Sequence, residues 1–489
     1  MKVIKRDGRA VEYNSEKICT AIEKANKEVA EEKRATIDEI SKIIEYIESL
    51  GKKRILVEDI QDIIEQKLME IGKYELAKSY IVYRYTRALV RKQNTTDESI
   101  LGLIKNASNG GDNGDEKRSL VCVQRNLIAG EVSKDLTKRI LLPEKITKAH
   151  DEGILYFHDM EYFMQPIINS CVVNIEDMLD NGTEINHCKI GTPQGFEEAC
   201  VVVANIINVI SNSQYGKQII NIKHLGKYLR KSSEKIESEL SNCLKNGIKT
   251  ENYSDELLNR LKELKLKEEL YNGIKILKYQ IESIVNTYDK DSKIVLVLDI
   301  AEKSDFSAEN SMIVSEIKKQ NIGNCTYVLN ESNQDEDGKY QCEGHFNYGM
   351  VSINLLQIIR SINNNENEFW KLLETRLELC YEALMCRHYS LLGIISNVSP
   401  IHWQNGAISR LNVDDRIDKL LKDGYSDMYL GYYGLNDTVE LAGEKFGFDD
   451  ALKEKFENKL IRFLEDKVQT WKKMTGIDFV LKEKFSIDG

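Results

Sequence analysis

The sequence predicts an α/β protein in two parts: a small, mostly helical N-terminal unit and a larger unit in which strands alternate with helices. Three observations predict it. Helical periodicity fills residues 14–90 after a short basic hairpin, a run rich in Gly and Asn interrupts the chain between 94 and 118, and short β-branched runs then recur between amphipathic stretches. The 489 residues exceed what one hydrophobic core usually organises, which also favours two units.

Hydrophobic residues make up 42% and charged residues 30%, enough apolar material for sizeable cores and too much for a disordered chain. With 68 Lys and Arg against 79 Asp and Glu, the net charge of -11 excludes a broad basic surface, and no direct DNA binding is expected. Residues 1–13 alternate charge with single apolar residues and never form a signal-peptide core. The most apolar stretch, 200–210, is interrupted by Asn205 and Asn208 and is too short for a bilayer. A cytoplasmic protein without a membrane segment is therefore expected. Ten cysteines lie scattered without any CxxC pair, and seven histidines are dispersed from His150 to His402, so the expectation is reduced thiols and no metal site.

The chain opens as strand, turn, strand, helix: Val3 to Arg6, the turn Asp7-Gly8, Ala10 to Tyr13, then a helix capped by Asn14 or Ser15. Ile40, Ile43, Ile44 and Ile47 form one stripe of a helix over 37–50, and residues 57–90 repeat the helical period. The N-terminal unit is placed at 1–92, a linker at 93–118 and the second unit at 119–489. In that unit helices are expected over 127–152 and 197–213, with a charged helical block over 227–289. Ile294 to Leu298 reads as a strand buried on both faces, followed by a helix over 309–319. Further strands are expected at 325–329, 349–354, 393–398 and 428–432, with a helix over 369–386. A barrel or a wrapped sheet fits this order.

Lys5, Arg6 and Arg9 flank the Asp7-Gly8 turn, and Lys17 sits at the start of the next helix, where backbone N–H groups face outward. The arrangement suits a triphosphate, although spacing alone favours a solvated basic hairpin. Arg84, Arg87 and Arg91 share a helical face beside Tyr80 and Tyr83, as an aromatic and cationic wall for a nucleotide would.

Lys2-Val3-Ile4-Lys5-Arg6-Asp7-Gly8-Arg9, with Tyr13, Lys17-Ile18, Val57-Glu58-Asp59-Ile60 and Ala77 to Arg84, resembles the ATP-cone, the allosteric nucleotide-binding domain of ribonucleotide reductases. The resemblance implies ATP or dATP as allosteric ligand and nucleotide contacts at Val3, Lys5, Arg6, Arg9 and Lys17. The rest resembles the catalytic subunit of the anaerobic, class III, ribonucleoside-triphosphate reductase. The matching blocks are Gln124-Arg125, His158-Asp159 with Tyr162, Thr192-Pro193, Ser213-Gln214-Tyr215-Gly216, Glu382 to Arg387, and Leu430-Gly431-Tyr432 with Gly434. This implies a ten-stranded α/β barrel of two half-sheets with a finger loop through its centre, in an oligomeric, commonly dimeric, protein.

In that family the finger-loop tip carries the cysteine whose thiyl radical attacks the ribose. Ile322-Gly323-Asn324-Cys325 fits the tip, with Asn324 where the family has Gly, so the resemblance makes Cys325 the thiyl candidate. Phe346-Asn347-Tyr348-Gly349 matches the stretch holding a substrate-binding asparagine, Asn347. By itself Cys325 reads as a buried thiol at a strand edge.

The chain also departs from the family. Asn169-Ser170-Cys171 stands where the family has Asn-Cys-Cys, so the first thiol, which donates reducing equivalents, is a hydroxyl here, and Cys171 points to the opposite face of a strand. Tyr156-Phe157-His158-Asp159 replaces His-x-His-Asp. The family's four-cysteine zinc site and Arg-x-Cys-Gly-Tyr-x-Gly radical loop have no counterpart in this sequence, which gives the expectation of a truncated barrel with no zinc and no glycyl radical. The resulting expectation is a chain inactive alone, a nucleotide-sensing pseudoenzyme acting on a reductase partner. The alternative is one half of a split reductase that works with a separate glycyl-radical subunit. Ser170 discriminates between them, because a split enzyme should keep cysteine.

Overall fold

A computed structural model describes residues 2–4, 10–52, 54–85, 100, 121–247, 255–284, 294–299, 305–323, 325–330 and 343–483. Lys5, Arg6, Arg9, Arg87, Asn324 and almost all of the expected linker lie outside these residues. The chain divides into two compact units, Met1–Gly102 and Leu103–Gly489.

In the first unit, β1 (Lys2–Ile4) is the centre of a three-stranded sheet, antiparallel to β2 (Ala10–Glu12) and parallel to β3 (Arg54–Leu56). Four helical stretches follow the expected periodicity: Glu16–Asn26, Ile37–Ser49, Val57–Glu70 and residues 74–85. Thr36 and Glu39 close a capping box at the start of Ile37–Ser49, each side chain satisfying the other's backbone N–H. The stripe Ile40, Ile43 and Ile47 meets Ile18, Ile22, Ile60, Ile64, Leu68 and Leu76 in one core. Glu16–Asn26 begins at Ser15, while Asn14 supplies the local hydrogen bond, its Oδ1 accepting from Glu16 N at 2.8 Å.

The second unit is built on a sheet whose strands are β4 (Leu155–Phe157), β5 (Ser170–Val173), β8 (Gln218–Asn221), β9 (Ile294–Asp299), β10 (Cys325–Asn330), β11 (Phe346–Asn354), β12 (Ser426–Tyr433) and β13 (Asp478–Glu483). A separate hairpin pairs β6 (Thr183–Ile185) with β7 (Cys188–Ile190). The path runs β10-β9-β8-β5-β11-β12-β13, with β4 beside β11. Neighbours are parallel within β10-β9-β8-β5 and within β11-β12-β13, and the two half-sheets join antiparallel at β5 and β11. Two half-sheets were expected; the ten-stranded closure was not found. Among the described residues the path has open ends at β10 and β13, and no barrel is closed.

Alternation along the strands gives the sheet two faces. One carries Cys171, Val173, Ile220, Ile294, Leu296, Phe346, Tyr348, Val351, Ile353, Met428 and Leu430 into the main core. There they meet helices Phe196–Ser211, Asp255–Ser283, Glu366–Leu391 and Asp450–Thr475. Ser170, Asn347, Ser352 and Asp427 belong to the other face. In β11 the core-facing residues switch from even to odd numbers because its pairing with β12 shifts between Asn347 and Met350. Gly349 sits at the shift, where a Cβ would come within 2.8 Å of Arg387 Cγ.

Two expectations are corrected. Residues 393–398 form no strand: Gly393 has φ +80°, Ser396–Val398 is a 3-10 turn, and Leu392, Ile395 and Val398 are exposed, so no sheet buries the apolar run. The helix over 127–152 is Val121–Leu136 and Glu144–Asp151, separated by a π-helical turn, Thr137–Leu141, and by Pro143, whose missing N–H cannot continue the ladder.

Candidate functional site

The blocks that are dispersed in sequence converge around the start of β5 and β11. Asn169 N donates to Asn347 O at 3.0 Å, and Ser170 is the cross-strand partner of Asn347. Asn347 in turn pairs with Asp427 on β12, and its Nδ2 donates to Asp427 Oδ1 at 2.7 Å. Both side chains are buried, with 2% and 3% exposure. His345 Nε2 lies 3.9 Å from Asp427 Oδ2. Asn347 Oδ1 is sealed from solvent and finds no hydrogen-bond donor among the described residues, which leaves one buried acceptor on this face unsatisfied.

Cys171, one residue after Ser170, turns into the core. Its Sγ donates to Gln214 Oε1 at 3.1 Å, Gln214 Oε1 also faces His402 Nε2 at 3.1 Å, and Ser399 Oγ meets His402 Nδ1 at 2.8 Å. Burial pushes the Cys171 thiol far above its ordinary pKa, so it is held as a neutral thiol. The neighbouring Gly216 N donates to Asn169 O at 2.7 Å, and a Cβ on Gly216 would overlap Asn169.

A small cavity next to this row is lined by Phe157, His158, Asp159, Tyr215, Met350 and Arg387, among others. His158 Nε2 and Ser352 Oγ are 2.8 Å apart, and Tyr162 stacks on Tyr215 at 4.3 Å. Arg387 donates to Tyr348 O and Phe163 O and also to Ile167 O, so backbone carbonyls satisfy its buried charge.

Cys325 is placed elsewhere. It opens β10, the edge strand, half-buried, with Sγ 3.5 Å from Ile322 O and Tyr327 beside it against the helix-covered core. Burial raises its thiol pKa. The register runs Cys325, Ile294, Gln218, Cys171, Phe346 across five strands, so Cys325 is four strand spacings, about 19 Å, from the Asn347 row. It also shares the face of Ile294 and Phe346, not that of Asn347. The two residues assigned to one chemistry by resemblance are not brought together.

In the first unit, Lys17 is exposed in the first turn of Glu16–Asn26, whereas Val3 sends its side chain into the core. The expected wall is corrected. Tyr80 is 3% exposed within the core, and burial pushes its pKa up to about 12. Arg84 is held by Glu58, Asp62 and Glu65, so its guanidinium is already taken up by carboxylates of Val57–Glu70. That acidic stripe, at spacings of four and three, was a readable signal of a partner helix. Asp427 and His345 were missed as site residues; the signal was an Asp beside the apolar run Met428 to Leu430.

Among the described residues no group of three or more His, Cys, Asp or Glu could hold a metal ion, and no helix is long and apolar enough to cross a membrane. Comparison with known proteins adds the family. The ATP cone domain matches residues 1–89, and the anaerobic ribonucleoside-triphosphate reductase model matches residues 113–327 and 318–484. The anaerobic ribonucleoside-triphosphate reductase of Escherichia coli (strain K12) is 27% identical over 98% of this chain and 75% of its own length. That of Enterobacteria phage T4 is 27% identical over 79% of this chain and 73% of its own length. A solved anaerobic ribonucleotide reductase from Thermotoga maritima aligns with 81% of this chain and 75% of its own, at 12% identity and a TM-score of 0.49. With its two family models together spanning nearly the whole sequence, this chain belongs to the anaerobic ribonucleoside-triphosphate reductase family and carries an ATP-cone at its N terminus.

Proposed function

We propose that this protein is a nucleotide-responsive member of its family that reduces no ribonucleotide by itself and acts on a reductase partner. ATP or dATP is the ligand of residues 1–92, held by Lys5, Arg6, Arg9 and Lys17 with the backbone at Val3, and residues 93–118 link this domain to the reductase-like unit. The observation that carries the reading is the row at Asn347. A hydroxyl, Ser170, stands beside the substrate-type asparagine, the adjacent thiol of Cys171 faces the other side, and Cys325 lies about 19 Å away on that other side. Ribose reduction in the family needs a thiyl and a second thiol at one substrate, and a serine hydroxyl can form neither a thiolate nor a disulfide.

The buried Asn347–Asp427 pair, with its unsatisfied acceptor, supports a second reading, a ribonucleoside-triphosphate reductase completed by a separate glycyl-radical subunit. One assay separates the two. The chain is incubated anaerobically with ribonucleoside triphosphates, an activating radical enzyme, S-adenosylmethionine and a reductant, with and without a radical-domain protein. No deoxynucleotide in either arm supports the regulatory reading. Product only with the added protein, abolished by Cys325→Ala, establishes the split enzyme, and product from this chain alone overturns both. Binding is tested by calorimetry: Lys5→Ala with Arg6→Ala should remove about 1.5–3 kcal/mol per lost phosphate contact. Mass photometry with no nucleotide, ATP and dATP should give different oligomer distributions, since such a switch needs unequal nucleotide affinity in the two assemblies.

A further inference from the structure

Arginine cannot shed its charge inside a protein, so a recessed guanidinium normally meets a carboxylate or a set of carbonyls. Arg387 follows the rule with three backbone carbonyls. Arg376, on the same helix Glu366–Leu391, does not. It is 7% exposed, and its one hydrogen bond among the described residues is from Nη1 to the neutral Gln357 Oε1 at 2.8 Å. No carboxylate among them pairs with it. Yet none of its nitrogens is among the buried atoms sealed from solvent without a partner, so its remaining donors keep some contact with solvent.

The surroundings are built to hold this guanidinium in place. Gln357 Nε2 donates to Glu152 O at 2.8 Å and Asn354 Nδ2 to Gly153 O at 2.9 Å, while Asn354 Oδ1 accepts from Gln357 N at 3.0 Å. Both amides are thereby oriented, and Gln357 presents its oxygen to Arg376. Asn354 and Tyr433 are register partners at the last residues of β11 and β12, two parallel strands. Tyr433 lies beside Asn354 and within electrostatic reach of Arg376, and burial pushes its pKa up to about 12, so it keeps its proton near neutrality. The carboxyl ends of parallel strands are where α/β sheets leave room for ligands.

We propose that Arg376, positioned by Gln357 and lying near Tyr433, forms a recessed site for a single oxyanion group, a phosphate or a carboxylate, at the carboxyl ends of β11 and β12. The fork of a guanidinium matches two oxygens of either group, and the ligand would supply the negative charge that the protein omits. This site is separate from the Asn347 row: seven residues along β11, about 23 Å, divide Asn347 from Asn354.

Thermal unfolding of the full chain tests it, in about 20 mM phosphate or acetate against chloride at equal ionic strength. Wild type should gain about 2 °C or more over chloride with at least one of the two anions. Gln357→Glu installs an internal carboxylate against Arg376; it should unfold no lower than wild type in chloride and lose the anion-dependent gain. Arg376→Met should lose the gain as well, and if it folds poorly Gln357→Glu alone decides. Any phosphate response of the N-terminal domain is common to wild type and Gln357→Glu, so the difference between them isolates this site. A gain with phosphate only identifies a phosphate group, and a gain with acetate only a carboxylate. Equal gains in wild type and Gln357→Glu, or none in wild type, overturn the proposal.

Discussion

Ser170 stands opposite Asn347 at the junction where the two half-sheets run antiparallel, and this pairing fixes which side of the sheet each neighbour serves. Because side chains alternate, placing Ser170 beside Asn347 commits Cys171 to the core, where Gln214 Oε1 accepts its hydrogen bond. The one thiol of this strand is thus the wrong residue on the wrong face for chemistry at Asn347.

The first prediction follows from that pairing. Ser170→Cys creates a partly accessible thiol on the Asn347 face, whereas Cys171 is 2% exposed with its pKa raised by burial. In the native fold of the variant, iodoacetamide should alkylate the introduced thiol at least about 10-fold faster than that of Cys171, read by peptide mass spectrometry. Equal rates would mean the strand register differs from that described.

A second prediction concerns Gly349. Its Cα lies so close to Arg387 that an added methyl must displace the buried arginine from Tyr348 O. Gly349→Ala should destabilise the large unit by about 1–3 kcal/mol in urea unfolding, without changing nucleotide binding by the first unit.

Arg84 supplies a third. Arg84→Met leaves Glu58, Asp62 and Glu65 clustered without their cation, and should destabilise the first unit by about 1–3 kcal/mol. ATP affinity of the folded variant should match wild type. A large loss of affinity without loss of stability would return Arg84 to the nucleotide site.

The fourth is a pH dependence. Burial lowers the pKa of His402 to about 3 and that of His150 to about 4, and Phe157 N donates to the neutral His150 ring. Both values lie below the unfolded value of about 6.5, so the unfolded chain takes up protons first. Their contribution is complete above pH 6.5 and is lost progressively as pH falls toward 4 and then 3. The melting temperature should fall between pH 7 and 5, and His402→Gln should make that fall shallower.

Helices Ile37–Ser49 and Val57–Glu70 and the strand β9 were legible because each is specified by its own residues: a 3.6-residue stripe or an unbroken β-branched run. So were the paired strands β1 and β2 of the first unit and the family blocks of the second, which are local strings. The sequence by itself also determined that a hydroxyl occupies position 170. Only the tertiary structure decided what these strings face. Helical spacing put Tyr80 and Arg84 on one side of a helix, but the side is inward because the carboxylates of Val57–Glu70 lie across from it. Strand order likewise set Cys325 four strands from Asn347, and a register shift at Gly349 reversed which residues of β11 enter the core. Register and strand order arise from pairing between segments distant in the chain, and no local pattern encodes them.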